Sequence, residues 1–587
     1  MGPVREAKES PVPGSAPPNA AGPSLATRLR VWRAGLGARP ADYAARPEPR
    51  SIGSAAIGRQ ICEGIVQIGG RRHELNGLSL WDLPRGGPSA GADRHGFVWL
   101  DDLAAAGSRR AAVLSRLWLA DWLARYDSGR GMGWRPDVAA RRLVRWINHA
   151  AMLEDGLDPA TRLRFRRGLT RHVAYLARTW HGAPPGVPTF EALCGLIQGG
   201  LALKGMEGAV RPGIKALEAL CREGIGADGS LPSRNPEDLL TLFVMLVWCE
   251  TAMTEVGLLA QTHHRAAIAR IAPVLRGLRH ADGALARFHG GGCGVEGRLD
   301  AALAAARSRT PPPWMAMGYA RLARGRSTVI LDGAAPPGGA AAATAHASTL
   351  ALEMTVGRRP MLVNCGSGIS FGREWEQAAR ATAAHSTLAP DGFSAGRFRD
   401  LRRGRVMLTE APKDVRCDPA PERGPASLSA SHDGFAASQG LIHLRRLDLG
   451  EDGAILSGED ILTAASQSER RRFSVLAQQR LNQGLGFTIR FHLHPDVTAQ
   501  MGEDRNSVML VLKSGEVWQF RHVSKARIGL DPSVYLEKTR PQPTPTRQIV
   551  LEAKAMEFTT TIRWSLSRLT QPDARQRDVY RDDMSIT

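Results

Sequence analysis

Residues 308–316 read SRTPPPWMA, and the character of the chain changes across them. Pro311, Pro312 and Pro313 cannot continue a helix and offer no backbone N–H to a sheet, so the run reads as an inter-domain linker. On its N-terminal side apolar residues recur at three-and-four spacing. On its C-terminal side they recur at every second position.

Upstream, from about residue 104 to 307, one stripe follows another. Leu114, Leu117, Trp118 and Trp122 share a helix face, as do Leu143, Trp146, Ile147 and Ala150. Phe165, Leu169, Val173, Leu176 and Trp180 make a third, and Phe190, Leu193, Ile197 and Leu201 a fourth. Ile214, Leu217 and Cys221 form a shorter stripe, and Ile268, Ile271, Leu275 and Leu278 close the series. Leu239 to Trp248 is apolar almost all round, which predicts a buried helix. Gly182 to Gly186 and Ala227 to Ser230 punctuate the run. Helices joined by short connections predict stacked antiparallel hairpins, and periodicity alone leaves a bundle and a toroid both open.

Downstream, Phe487, Ile489, Phe491 and Leu493 alternate with Thr488, Arg490, His492 and His494. Phe558, Thr560, Ile562, Trp564 and Leu566 alternate likewise. Val508–Leu512, Glu516–Arg521 and Leu441–Leu447 also read as strands, and Lys513-Ser514-Gly515, Glu451-Asp452-Gly453 and His432-Asp433-Gly434 as turns. Many short strands with such turns predict an antiparallel β-sandwich. The predicted order is a disordered tail over 1–25, an extension over 26–103, the helical domain over 104–307, the linker, the sandwich over 317–567, and a polar tail over 568–587. Thr27 to Leu36 reads as a short basic helix.

At 587 residues the chain has room for two to four domains of about 150 residues. Its formal net charge of +20 points to polyanionic partners. The excess is mostly arginine and is spread along the chain, with no basic block of the kind that binds nucleic acid, so nucleic acid is the weaker reading. The seven cysteines are scattered and contain no C-x-x-C, which argues against a disulfide framework or zinc ribbon. Residues 1–25 hold no apolar core of a secretory signal, and no run of about 18 apolar residues predicts a membrane-spanning helix. Compartment and oligomeric state stay open. P-loop, HExxH and Gly-x-Ser-x-Gly motifs are absent.

The chemistry-bearing residues gather in three loops. The first is GSGISFGREWEQAARATAAHSTLAPDGFSAGRFRD, residues 366–400, where His385 stands among Arg373, Arg380, Arg397 and Arg399. One titratable imidazole among fixed positive charges suits an anionic substrate from which a proton is moved. The second loop, 228–236, ends in Arg234, Asn235 and Pro236. Asn235 can cap the next helix with Pro236 at its first position, or it can join Arg234 in meeting a carboxylate. The third, 280–292, carries His280 and then His289 before three glycines. His432 and His443 come next in interest. His492 and His494 share a strand face at a spacing compatible with a metal, yet no dense His/Asp/Glu cluster exists in sequence, and no metal or cofactor is assigned.

Five segments together resemble the heparinase II/III-like polysaccharide lyases. They are Gly318-Tyr319-Ala320-Arg321-Leu322, Val363-Asn364-Cys365-Gly366, Ala384-His385-Ser386-Thr387-Leu388 with Asp391-Gly392, His432-Asp433-Gly434-Phe435, and Arg490-Phe491-His492-Leu493-His494-Pro495. Ser386 stands where the family usually has Asn, and Trp99-Leu100-Asp101-Asp102-Leu103 matches the run that introduces the family's helical domain. The resemblance covers roughly 90–566. It implies an N-terminal incomplete α/α toroid followed by a C-terminal antiparallel β-sandwich. It also implies β-elimination on an acidic, uronate-containing polysaccharide, with no metal needed.

By matched position, Asn235 with Arg234 would neutralise the uronate carboxylate, and His385 would be the base or a charge stabiliser. The family's catalytic tyrosine has no counterpart in 280–292, so His280 or His289 would serve as the acid, with Tyr319 a less favoured stand-in. Arg373, Arg380, Arg397 and His432 would contact substrate. Loss of the tyrosine also admits a second reading: a non-catalytic glycan-binding or envelope-assembly protein on the same scaffold.

Overall fold

The computed structural model describes residues 25–570, apart from 41, 45–48, 52, 70, 85–87, 296, 402–405, 425, 482, 539 and 541. The tails expected over 1–25 and 568–587 fall almost wholly outside these residues. Thirteen of the α-helices lie before Met315, and nearly all of the strands follow it. The architecture is an incomplete α/α toroid followed by an antiparallel β-sandwich.

The toroid is built from helices that start where capping residues stand. Asp158 accepts hydrogen bonds from the N–H groups of Ala160 and Thr161 at 3.0 and 2.9 Å, with Pro159 in the first turn of the helix Pro159–Thr179. Asn235 and Pro236 repeat the arrangement at the start of Pro236–Glu255. That helix is the apolar one, and Leu239, Leu242, Phe243, Leu246 and Val247 are buried among Val187–Ala202, Thr262–Gly277 and their neighbours. A tryptophan-rich core holds the first half of the toroid. There the buried Arg142 guanidinium lies 4.1 Å from the Trp122 ring and donates to the carbonyls of His95 and Gly133. The basic helix expected near Thr27 spans Leu25–Gly35 and packs through Val31 and Ala34.

The sandwich consists of an eight-stranded and a nine-stranded sheet. In the nine-stranded sheet Leu485–Leu493 pairs with Thr544–Ala555, setting Phe487 opposite Ala553, Ile489 opposite Leu551 and Phe491 opposite Ile549. Phe487, Ile489, Phe491 and Leu493 face the second sheet, where Phe520, Trp564 and Leu566 meet them. The other face of the same strand is also covered, so His492 and His494 are buried rather than solvated. The two halves share a core: Ala316, Met317, Tyr319, Ile330 and Ala351 of the sandwich pack with the toroid's apolar cluster. Arg321 fastens the junction, donating to the carbonyl of Arg279 at 2.6 Å. No helix among the described residues is long and apolar enough to cross a membrane.

Candidate functional site

Where toroid meets sandwich, the residues in left-handed backbone that non-glycine residues rarely hold include Arg234 at φ +47° and His289 at φ +47°. Both are clamped by the partner half. The Arg234 guanidinium donates to the carbonyls of Met317, Gly318, Ala334 and Ala335 and to the Asp332 carboxylate, and it lies 4.7 Å from the Tyr319 ring. Five acceptors use up its donors, leaving no fork for a substrate carboxylate. The Tyr319 hydroxyl donates to the Arg234 carbonyl, and its ring stacks on Phe288 at 4.9 Å. Burial pushes the phenol well above its usual pKa; the guanidinium offsets this in part. Tyr319 is a brace.

Asn235 follows Arg234. Its Oδ1 accepts from the N–H groups of Glu237 and Asp238 at 2.9 and 3.3 Å, so the capping expectation holds and the amide's orientation is fixed. Its Nδ2 meets no hydrogen-bond partner among the described residues. Gly291 packs directly on this amide: a Cβ there would fall 2.5 Å from Asn235 Oδ1. Next to it the Lys538 ammonium pairs with Glu237, whose carboxylate also accepts from Gly292 N–H at 2.9 Å.

Three histidines lie in line behind the glycines. His289 Nδ1 accepts from the backbone N–H of His346 at 3.1 Å, which leaves the ring proton on Nε2, 3.6 Å from Asp332 Oδ2. His385 Nδ1 donates to the Ala381 carbonyl at 2.8 Å, so its Nε2 is the acceptor for His346 Nδ1 at 3.2 Å. The hydrogen-bond network thereby assigns a bare lone pair to His346 Nε2. Burial lowers all three below 6.5, His385 to about 4, so the row is neutral at physiological pH. His385 has both nitrogens occupied, and the imidazole with an open atom is His346.

The remaining expected residues are placed elsewhere or committed to protein partners. His280 is buried between toroid and sandwich, with Nε2 3.3 Å from Glu353 and Nδ1 2.9 Å from the Thr355 hydroxyl. Burial would raise the Glu353 carboxyl, but the hydrogen bond from His280 and the charge of Arg287 hold it below the usual carboxylate range. The Arg380 guanidinium is buried and donates to the carbonyls of Ala342, Ala345 and Val406. Arg373 and Arg397 lie on the surface beside Asp400 and Glu410. His432 is inside the sandwich, 3.4 Å from His443, which in turn reaches Asp460 at 2.8 Å. Asp460 also takes the Arg445 guanidinium and the Trp564 N–H. His492 bonds to Ser533 and the Ala383 carbonyl. No group of three or more His, Cys, Asp or Glu among the described residues could hold a metal.

Sequence reasoning missed His346 and Asp332. His346 sits in the alanine-rich run 340–347, where no turn signal or charge marks it. It also missed the rim of the cleft. Arg141 pairs bidentately with Glu191 at 2.7 Å, Arg145 with Asp101 at 2.9 Å, and Lys538 with Glu237. Asp93 and Asp238 lie within the field of these cations. Arg298 stands in the same field, 5.8 Å from the Trp248 ring and without an ion pair among the described residues. A surface crevice lined by Val144, Ile147, Gln198, Leu201, Ala252 and Val256 contains none of these groups.

Comparison with known proteins agrees with the fold. Residues 306–565 match the family "Heparinase II/III-like, C-terminal". The chain is 29% identical over 543 residues to "FtsZ-localized protein C" of Caulobacter vibrioides, covering 90% of this chain and 91% of that protein. Among solved structures it is similar to heparinase III, with a TM-score of 0.65, 12% identity, and coverage of 94% of this chain and 92% of that one. It is also similar to the heparan sulfate lyase HepC of Pedobacter heparinus, with a TM-score of 0.53, 12% identity, and coverage of 94% and 89%. At such identities these structures speak to the fold alone. Residues 306–565 of the chain are thus a heparinase II/III-like C-terminal domain.

Proposed function

We propose that this protein binds polysaccharide in cell-envelope assembly and does so without elimination chemistry, on a scaffold its lyase relatives use for cleavage. The observation that carries this reading is the state of Tyr319. Its ring is the tyrosine ring packed nearest His289 among the described residues, and its hydroxyl is donated to the Arg234 carbonyl inside a closed brace. Elimination needs a carboxylate neutraliser, a base and an acid at the glycosidic oxygen. Here Arg234 and Arg380 are committed to carbonyls, and the phenol is locked. Arg141, Arg145 and Lys538 of the rim are paired, which gives further support, because a polyanion-cleaving groove gains from unpaired cations. So does the name of the Caulobacter relative, which records localisation with FtsZ rather than an activity. By that analogy this protein localises with FtsZ.

A second reading keeps β-elimination on a uronate-bearing glycan. The open Nε2 of His346 beside the free Nδ2 of Asn235 favours it, with His385 holding His346 in the basic tautomer. Incubating the protein with a panel of acidic and neutral polysaccharides, and following both co-sedimentation and product masses, separates the two. Binding with intact chains supports the proposal. New chain ends carrying an unsaturated sugar support the second reading.

A further inference from the structure

Three polar atoms around Gly290 and Gly291 have no hydrogen-bond partner among the described residues, although the residues that carry them are at least nine-tenths buried. They are Asn235 Nδ2, His346 Nε2 and Ser367 Oγ, on residues 7%, 5% and 3% exposed. None is sealed away from solvent as the Nε2 of His289 is, so each can be reached from the cleft. Buried polar groups are normally satisfied by protein or ordered water, and three that only solvent can reach leave a place where a ligand's polar atoms can replace water.

The notch has room for that occupant because residue 290 has no side chain. A Cβ at Gly290 would sit 3.8 Å from the Thr344 carbonyl oxygen, 3.9 Å from His346 Nε2 and 4.0 Å from Ser367 Oγ. Gly290 holds φ +83°, and Gly291 lets the Asn235 amide approach. Asn235, beside Gly291, comes from the toroid, and His346 and Ser367, beside Gly290, come from the sandwich, so the two adjacent glycines sit at the junction.

The donor and acceptor pattern is fixed by the surroundings. Asn235 cannot flip, since its Oδ1 caps the helix, so it presents a donor. His346 presents an acceptor, since its Nδ1–H is held by His385. Ser367 can do either. Lys538, whose field reaches His346, is paired with Glu237. A carboxylate would bring its lone pairs against the bare Nε2, and the cations whose fields reach that ring, Lys538 and Arg380, already have partners. A secondary amide fits, its N–H donating to His346 Nε2 and its carbonyl accepting from Asn235 Nδ2 or Ser367 Oγ.

We infer that this notch recognises the acetamido group of an N-acetylhexosamine in the bound polysaccharide, with His346 Nε2, Asn235 Nδ2 and Ser367 Oγ as its contacts. The inference rests on the polysaccharide-binding reading, which supplies the carrier of the amide.

The test is calorimetric titration of the whole protein with four probes: a β-1,4-linked N-acetylglucosamine tetramer, cellotetraose, a galacturonate tetramer and an N-acetylated tripeptide. The N-acetylated sugar should bind about tenfold more tightly than cellotetraose, a change of about 1.4 kcal/mol. Asn235→Asp keeps the capping oxygen and removes the donor, and His346→Leu removes the acceptor; each should erase that preference, while His346→Gln, which retains an acceptor oxygen, should keep most of it. Equal binding of the N-acetylated sugar and cellotetraose by the parent protein would overturn the inference while leaving polysaccharide binding in place. Preference for galacturonate would also overturn it, as would binding of the tripeptide alone. Failure of every polysaccharide to bind would defeat the functional reading as well.

Discussion

His346 Nδ1 lies 3.2 Å from His385 Nε2, and the hydrogen bond between them fixes the tautomer of both rings. The Ala381 carbonyl holds the proton on His385 Nδ1 at 2.8 Å, so the bare lone pair emerges at His346 Nε2. His385, the residue the family pattern marks, is thus hydrogen-bonded to a histidine that the pattern leaves unmarked. His385→Ala should cost about 1–3 kcal/mol of stability, because it leaves buried polar groups without partners. Chemical denaturation measures this. An unchanged midpoint would mean the pair is not formed.

Acid should destabilise the fold through the same row. The folded pKa of His385 is about 4, lowered by burial from 6.5. Above pH 6.5 neither state binds the proton and the full stability is present. Below it the unfolded chain takes up a proton the fold resists, so stability falls until the pH reaches about 4. His385 alone accounts for a loss of about 3 kcal/mol over that window. His492, lowered by burial to about 3, extends the loss further down. Melting temperatures at a series of pH values should drop steeply between pH 6.5 and 4, and a flat profile there would contradict the neutral row.

Arg234→Lys should be among the most damaging single changes. A lysine cannot bridge four carbonyls and Asp332, and it leaves that buried carboxylate poorly paired. Breaking a buried ion pair costs about 3–5 kcal/mol. Denaturant unfolding should show a loss of that size, accompanied by faster proteolysis at the toroid–sandwich junction. A mild effect on stability with a large effect on ligand binding would instead place Arg234 in the binding surface.

Tyr319→Phe should be mild. It removes one hydroxyl from the Arg234 carbonyl and leaves the ring stacked on Phe288, for a loss of about 1 kcal/mol. Polysaccharide binding should be unchanged. A variant that loses a catalytic activity present in the parent would show that the phenol takes part in chemistry.

Much of the architecture could be read from the chain because its signals are local. Three-and-four spacing marks the helices, Asn235-Pro236 marks the start of the buried one, and the alternation from Phe487 to Leu493 marks a central strand. What could not be read is where long polar side chains end. Arg234 and Arg380 look like ligands for an anion, yet each terminates on carbonyls of segments distant in sequence. His432, next to an Asp-Gly turn, looks surface-exposed, yet it is buried in the sandwich beside its cross-strand neighbour His443. His346 lacks any local marker and gains its meaning only when the sandwich sets it beside His385 and the toroid sets Gly290 over it.

The most direct test of the account is the ultraviolet absorbance of unsaturated uronate, followed while the protein is held with uronate-bearing polysaccharides at concentrations where binding is saturated. The account predicts a flat trace over hours alongside measurable binding. A rising trace that His346→Leu abolishes, in a variant that still folds, would contradict it and make the cleft an eliminating active site.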